Sequence, residues 1–417
     1  MLDGIGLHLI NNNGKNKPMP IKFTQLFNDF TESEQASGVI LILCTLIAIM
    51  LANSSLSPAY LAFWHTEIGI TLGSFTLSHS LEHWVNDGLM AIFFLLIGLE
   101  IEREIYIGEL SDLKSASLPI MAAIGGMLTP ALFHYLLNQG TATQSGFGIP
   151  MATDIAFAIG VLMLLGNKVP LSLKIFLSAL AIADDLGAIV VITLFYTQGF
   201  SLVYFLLAIS VFAGLLILNR RGVTTLWLYL VSGAIMWFFM LQSGIHATIT
   251  GVLLAFAIPF RNAGEDSPNH QQSPSYRLQH NLHKPVAFLI MPLFALANTG
   301  IAFNGNWADS LISANSLGIS AGLVLGKPIG ITLFSFLAVK LGLSQLPSDI
   351  TWRHIVGAGC LGGIGFTMST FITLLAFEQA ELVQLSKIAI LCSSLLAGIL
   401  GVVILSWHSN KVGNTTP

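Results

Sequence analysis

Residues 171–197 read LSLKIFLSALAIADDLGAIVVITLFYT, an apolar run with one lysine near its start and two adjacent aspartates, Asp184 and Asp185, at its centre. A run of this length matches the roughly 20 residues of helix that cross a bilayer. An ionisable residue at the middle of such a span costs about 2.5–3.5 kcal/mol. Soluble burial would not give the run this length, and lipid alone would not keep the acids. The stretch therefore predicts a membrane helix whose polar face serves a purpose.

The rest of the chain agrees. Its 417 residues are 54% apolar and only 9% charged, with mean hydropathy +0.78, against about 25% charged in soluble domains. This excludes a secreted, nucleic-acid-binding or disordered protein. A net charge of -4 is too small to argue for a polyionic partner. Cys44, Cys360 and Cys392 all lie in apolar runs, so neither a disulfide framework nor a structural metal set is expected. Asn11, Asn12, Asn13, Lys15 and Lys17 are followed by no compact apolar core, which predicts no secretory signal.

Apolar runs and loop signals together predict an all-α membrane protein of twelve transmembrane helices. Their extents are roughly 35–53, 83–102, 116–138, 146–166, 171–197, 200–218, 224–241, 245–259, 285–302, 316–339, 354–377 and 382–407, each near the length a bilayer requires. Residues 1–34 form a cytoplasmic tail. In it Phe23, Leu26, Phe27 and Phe30 recur at helical spacing, as in a helix lying on the membrane surface. Thr31 and Glu34 have capping-box spacing before the first span. Residues 35–407 form a single membrane domain and 408–417 a second cytoplasmic tail. With this count every Lys and Arg except Lys327 and Lys387 falls on one face. Cytoplasmic loops are the ones enriched in Lys and Arg, so both termini are expected in the cytoplasm.

Two connections have character of their own. Ile68, Ile70 and Leu72 alternate up to Gly73-Ser74, and Phe75 and Leu77 follow, which predicts a two-residue hairpin. An isolated hairpin is marginally stable, so segment 68–77 should pack on something, a second copy of the chain being one candidate. The connection 260–284, with Asn262, Gly264, Glu265, Asp266, Pro268 and Gln271, reads as a solvated linker.

Asp154, Asp184, Asp185 and Lys327 all fall deep in their spans. One buried Asp–Lys pair would merely lock helices together, but three acids against one base leave carboxylate charge over. Adjacent helical residues point about 100° apart, so Asp184 and Asp185 face different neighbours. One can turn to a water-filled cavity while the other pairs with Lys327 or a neighbouring helix. A carboxylate binds a small hard cation only after losing its proton, so such a site makes proton and cation compete. Competition becomes exchange when the site opens to one side at a time.

Span 4 contains Gly148-Ile149-Pro150 before Thr153-Asp154; span 11 contains Gly357, Gly359, Gly362, Gly363 and Gly365. Backbone freed by Gly and Pro is tolerated at membrane depth only within protein or along a cavity. Spans 4 and 11 run in opposite directions, so spans 3–5 (about 116–197) and 10–12 (about 316–407) can be inverted copies with interrupted helices in matching places. That arrangement points to a midplane transport site. Broken helices crossing there bring like dipole ends together, which Asp154 and Lys327 are suited to neutralise, while Thr153 offers a hydroxyl.

The segments WVNDGLMAIFFLLIGLEIERE (84–104), PMATDIAFAIGVL (150–162), LAIADDLGAI (180–189), SGIHATITGVL (243–253), MPLFALANTG (291–300), LVLGKPIGI (323–331) and GGIGFTMS (362–369) resemble, in order and over nearly the whole chain, the NhaA-type sodium/proton antiporters. The resemblance implies crossed, unwound spans 4 and 11 in a multi-pass protein of the bacterial inner membrane. It implies electrogenic, pH-regulated exchange of cytoplasmic Na+ or Li+ for external H+, the ions being transported substrates with no cofactor and no enzymatic reaction. Asp184 and Asp185 match the ion-binding, proton-carrying pair. Thr153, Asp154 and Lys327 match supporting positions, and Gly362, Gly363 and Gly365 match the unwound span 11. Asp87, Glu100, His246 and His280 match the cytoplasmic funnel and pH response, Glu100 being the funnel acid and His246 the pH-linked histidine. Segment 68–77 fits the family's homodimer contact. Gln279 stands where a glutamate is expected and Glu102 where a basic residue is expected; both bear on pH response, not on the transport site.

Read on its own, a lone histidine such as His246 is ordinarily just a satisfied polar residue. His79 with His83, and His280 with His283, have metal-compatible spacing but no third ligand nearby, and read as surface histidines. Two rival functions share the acids. An intramembrane aspartyl protease could use Asp154 and Asp184 but needs neither Asp185, Lys327 nor a glycine-broken span 11. A cation channel favours a continuous polar path or repeated charged rings, unlike one asymmetric cluster.

Overall fold

The computed structural model describes residues 8–9, 17–18, 21–72, 75–197, 199–260, 273–303 and 311–412. Helices dominate: α1 (Ile21–Ala52) and α2 (Ser57–Trp64), then α3 (Leu81–Ile107), α4 (Leu113–Leu137) and α5 (Ile155–Leu164). They continue with α6 (Leu171–Phe195), α7 (Leu202–Arg220), α8 (Leu226–Gln242), α9 (Ile249–Ala257), α10 (Pro274–Pro285) and α11 (Met291–Asn298). The last are α12 (Ala314–Lys340), α13 (Trp352–Gly362), α14 (Phe366–Ala376) and α15 (Ala380–Val412). Among the described residues, seven helices are long and apolar enough to cross a membrane, or nine when the bent pairs α1–α2 and α13–α14 each count once. The sequence predicted twelve; α8, α9 and the α10–α11 pair fall below that length or are broken.

Boundaries depart from expectation where no local signal stops a helix. α1 already runs from Ile21, because neither Gly nor Pro intervenes before Gly38. Thr31 therefore lies inside a helix and is not its cap, and residues 23–30 continue into α1. The expected linker 260–284 is shorter than supposed. Ser273 Oγ accepts from Tyr276 N at 3.2 Å and Pro274 occupies the first turn of α10, a start that Ser-Pro encodes. The linker residues Asn262 to Gln271 lie outside the described residues. Strands Glu67–Leu72 and Phe75–Ser80 pair antiparallel with Leu72 opposite Phe75; the expected turn residues Gly73 and Ser74 are outside the description.

Three helices are interrupted by π turns, at Trp84–Leu89, Val286–Ile290 and Gly322–Gly326. Two of these immediately precede Met291-Pro292 and Lys327-Pro328. A proline has no N–H with which to close the preceding α turn, and the helix widens there. α4 and α12 pack so closely that a Cβ on Gly330 would lie 2.0 Å from the Gly125 carbonyl oxygen. Only glycine permits this approach, one turn beyond Lys327. Phe94, Phe294 and Phe371 meet at ring separations of 5.6 Å (Phe94–Phe371) and 6.3 Å (Phe294–Phe371), forming with Met90 a dense buried cluster.

Candidate ion-binding site

The chain from Gln144 to Met151 is a tight 3-10 segment containing Pro150; residues 152–154 are extended, and α5 starts at Ile155. α13 and α14 are separated by residues 363–365 and bent by 48°. The two breaks face each other. Asp154 N donates to the Ile364 carbonyl at 2.7 Å, Thr153 Oγ1 to the Gly362 carbonyl at 2.8 Å, and Ser369 Oγ to the Ile149 carbonyl at 2.7 Å. Each break thus satisfies backbone groups freed by the other, as burial at this depth requires. A Cβ on Gly365 would meet Ser369 Oγ at 2.4 Å and the Ala152 carbonyl oxygen at 2.9 Å, so a side chain there would push the breaks apart.

Asp154 lies between two helix starts. Its Oδ1 accepts from Phe157 N at 3.3 Å, capping α5. Its Oδ2 accepts from Thr367 N at 3.0 Å in the first turn of α14, and also from Thr367 Oγ1. A carboxylate there offsets two positive dipole ends. Lys327 sits beside the opposite ends. Its Nζ donates to Thr153 Oγ1 at 2.9 Å, the hydroxyl that itself bonds the last carbonyl of α13.

Lys327 Nζ also meets Asp184 Oδ2 at 2.5 Å, with both side chains fully enclosed. Asp185, turned about 100° away on α6, instead lines a cavity of about 60 Å³, room for a few waters. Asp185 Oδ1 has no hydrogen-bond partner within the described residues. Thr153, Asp154 and Thr367 share this cavity, which also reaches Glu100 and His283. Carboxylate and hydroxyl oxygens converging on a small cavity form a donor set that suits a hard monovalent cation, with proton uptake as the alternative.

Not every predicted residue comes to this place. Glu100 lines the cavity, but Asp87 lies on the same helix about 20 Å away. Asp87 faces His246, so the four residues grouped with funnel and pH response divide between two ends of the molecule. His280 is exposed on α10 and outside the cavity, whereas His283, one turn on, lines it. His79 and His83 are partly exposed and stack on one another. Glu102 is buried and accepts from Ser275 Oγ at 2.6 Å. Gln279 is also buried on α10, so both departures from the family pattern fall where α3 and α10 pack. Thr367 was not foreseen; its signal was its position just after the glycine break. Nor was the reciprocal amide pair Asn86–Asn298, at 2.7 and 3.2 Å, which joins α3 to α11.

The profile of the family "Na+/H+ antiporter 1" matches residues 28–405. The chain is 59% identical to the Na(+)/H(+) antiporter NhaA of Dechloromonas aromatica (strain RCB) over 94% of this chain and 98% of that one. It is 56% identical to the NhaA of Cytophaga hutchinsonii over 92% and 95%, and 57% identical to NhaA 1 of Flavobacterium johnsoniae over 95% and 100%. With its apolar helices, such kinship makes the chain a multi-pass membrane protein. The chain belongs to the Na+/H+ antiporter 1 family, whose members are transporters and not enzymes.

Proposed function

We propose that the protein exchanges cytoplasmic Na+ or Li+ for external H+, with the cation and the proton competing at Asp184 and Asp185. The observation that carries this reading is the cavity-facing Asp185 carboxylate, which stands beside Thr153 and Asp154 with one oxygen unpartnered. A cation arriving from the Glu100–His283 end finds these oxygens and displaces the proton. Asp184, held by Lys327, joins when the cation draws its carboxylate away and frees the lysine proton. Asp185 and Lys327 then each give up a proton against one cation bound, which makes the exchange electrogenic. The cavity reaches toward Glu100 while Met90, Phe94, Phe294 and Phe371 pack densely, an arrangement that suits a cytoplasm-facing conformation.

The remaining architecture follows the same reading. Adding α8, α9 and the α10–α11 pair to the longer helices gives twelve crossings, with inverted repeats over about 116–197 and 316–407 and crossed helices at spans 4 and 11. Both termini then lie in the cytoplasm and the protein resides in the bacterial inner membrane. A homodimer forms through segment 68–77, and pH regulation acts through Glu100 and its neighbours on α10. Sodium added to everted vesicles should collapse a pre-formed pH gradient, and Asp184→Asn or Asp185→Asn should abolish the effect. Unchanged exchange in both variants would overturn the assignment.

A further inference from the structure

Tyr196 stands directly after Phe195 as the C-cap of α6, the helix that carries Asp184 and Asp185, and its side chain is buried. Its hydroxyl donates to the Ser145 carbonyl at 2.8 Å and accepts from Gly148 N at 3.1 Å. Both partners belong to the 3-10 segment that precedes the break at Asp154. A Cβ on Gly148 would lie 2.5 Å from the Tyr196 hydroxyl oxygen, so glycine is what lets the phenol reach the backbone there. Phe147 stacks on the Tyr196 ring with planes inclined by 24°. The Tyr196 carbonyl, one of those a helix end leaves without an intrahelical partner, accepts from His246 Nε2 at 2.7 Å.

Helix geometry gives these bonds their meaning. Successive residues turn about 100°, so Tyr196, about three turns beyond Asp185, points within about 20° of the same direction. Ala188, Ile189 and Ile192 lie between them on that face, and all are buried. One face of α6 therefore meets the broken chain at two levels, about 16 Å apart. At one, Asp185 lines the cavity with Thr153 and Asp154; at the other, Tyr196 holds Ser145 and Gly148. Two such levels fix both the rotation and the height of α6 against that chain. Rotation matters because the two aspartates differ in direction: Asp184 meets Lys327, and Asp185 meets the cavity. Apolar packing along the face tolerates a small turn, whereas directed hydrogen bonds weaken steeply as they lose alignment.

We propose that Tyr196 is a positioning residue of the exchanger: its hydroxyl locks the rotation of α6 against the broken chain, so that Asp185 faces the cation cavity while Asp184 faces Lys327. The inference rests on the exchange reading. The hydroxyl touches neither transported ion and acts through the backbone of Ser145 and Gly148. Removing it takes a partner from each of those buried groups and lets α6 sample other rotations. Loss of a buried hydrogen bond corresponds to about a factor of ten in the population of the aligned rotation, and apparent cation affinity falls by the same factor. Molecules that are aligned react as before, so the maximal rate is kept.

The test measures exchange by the full-length protein in proteoliposomes over a range of Na+ concentrations. Tyr196→Phe, which keeps the ring and its packing, should raise the half-saturating Na+ concentration about tenfold and leave the maximal rate within about twofold. Gly148→Ala places a methyl group against the hydroxyl and should raise half-saturation similarly. It leaves Tyr196 in place, so it reads the same contact even where Tyr196→Phe does not fold. Both changes break one contact, so the double variant should be no worse than the more affected single variant, whereas independent effects would multiply to about a hundredfold. Unchanged kinetics in Tyr196→Phe overturn the proposal. So does a lower maximal rate at unaltered half-saturation, which is what a merely structural defect gives, and so do multiplying effects in the double variant. Failure of the unmodified protein to exchange at all would instead overturn the exchange reading.

Discussion

The two broken helices meet backbone to backbone at the site but are built differently. The chain from Gln144 to Leu164 breaks at an extended tripeptide and carries the polar groups, Thr153 and Asp154, in the break itself. The chain from Trp352 to Ala376 breaks at glycines and places no charge in the break; there it supplies carbonyls, the Thr367 hydroxyl and space. One break holds the chemistry and the other makes room for it. The C-terminal helix ends at the breaks need a cation that neither break contains, and Lys327 supplies it from α12.

That division can be broken at its most dependent point first. Replacing Lys327 by Ala leaves Asp184 buried without its partner. It should cost about 3–5 kcal/mol, read as a large fall in the unfolding midpoint of purified protein in detergent, and exchange should be lost. Stability equal to that of the unmodified protein would show that the charge is not shared between helix ends and Asp184. Next, Gly365→Ala tests the space-making role. The added carbon collides with Ser369 and Ala152, so a cost of about 1–3 kcal/mol and slower exchange are expected, whereas Gly140→Ala, where a Cβ meets nothing within 4 Å, should leave exchange unaffected although its positive φ of 76° costs some stability. The smallest effect belongs to Asp154→Asn. Asparagine can cap only one of the two helix starts, because its amide nitrogen cannot accept from the other, so the loss is one cap together with the charge between two dipole ends, about 1–2 kcal/mol, with weaker Na+ binding in equilibrium titration.

Much of this was legible in the sequence for a physical reason. Charge in the middle of an apolar span is expensive, so Asp154, Asp184, Asp185 and Lys327 stood out without any structure, and the glycine run of span 11 marked a break. Which aspartate pairs with Lys327 was not legible. The 100° between neighbours says only that the two differ, and the choice depends on how α6 is rotated against α12. The π turns were missed because a widened turn leaves apolar spacing nearly unchanged, and Pro292 and Pro328 were the only local hints. The start of α10 was missed because its first turns are polar and resemble linker, although Ser273-Pro274 encodes a cap. The split of Asp87 and His246 from Glu100 was hidden because a role carried over from a family says nothing of distance along a helix.

The central claim is that one set of midplane oxygens holds either a proton or an alkali cation. Isothermal titration of Na+ into the purified protein, repeated in buffers of different ionisation enthalpy, reads proton release directly. The account predicts that Na+ binding releases protons into the buffer, weakens steadily on acidification, and loses both properties in Asp185→Asn. Sodium binding with no proton release, at an affinity independent of pH, would contradict it.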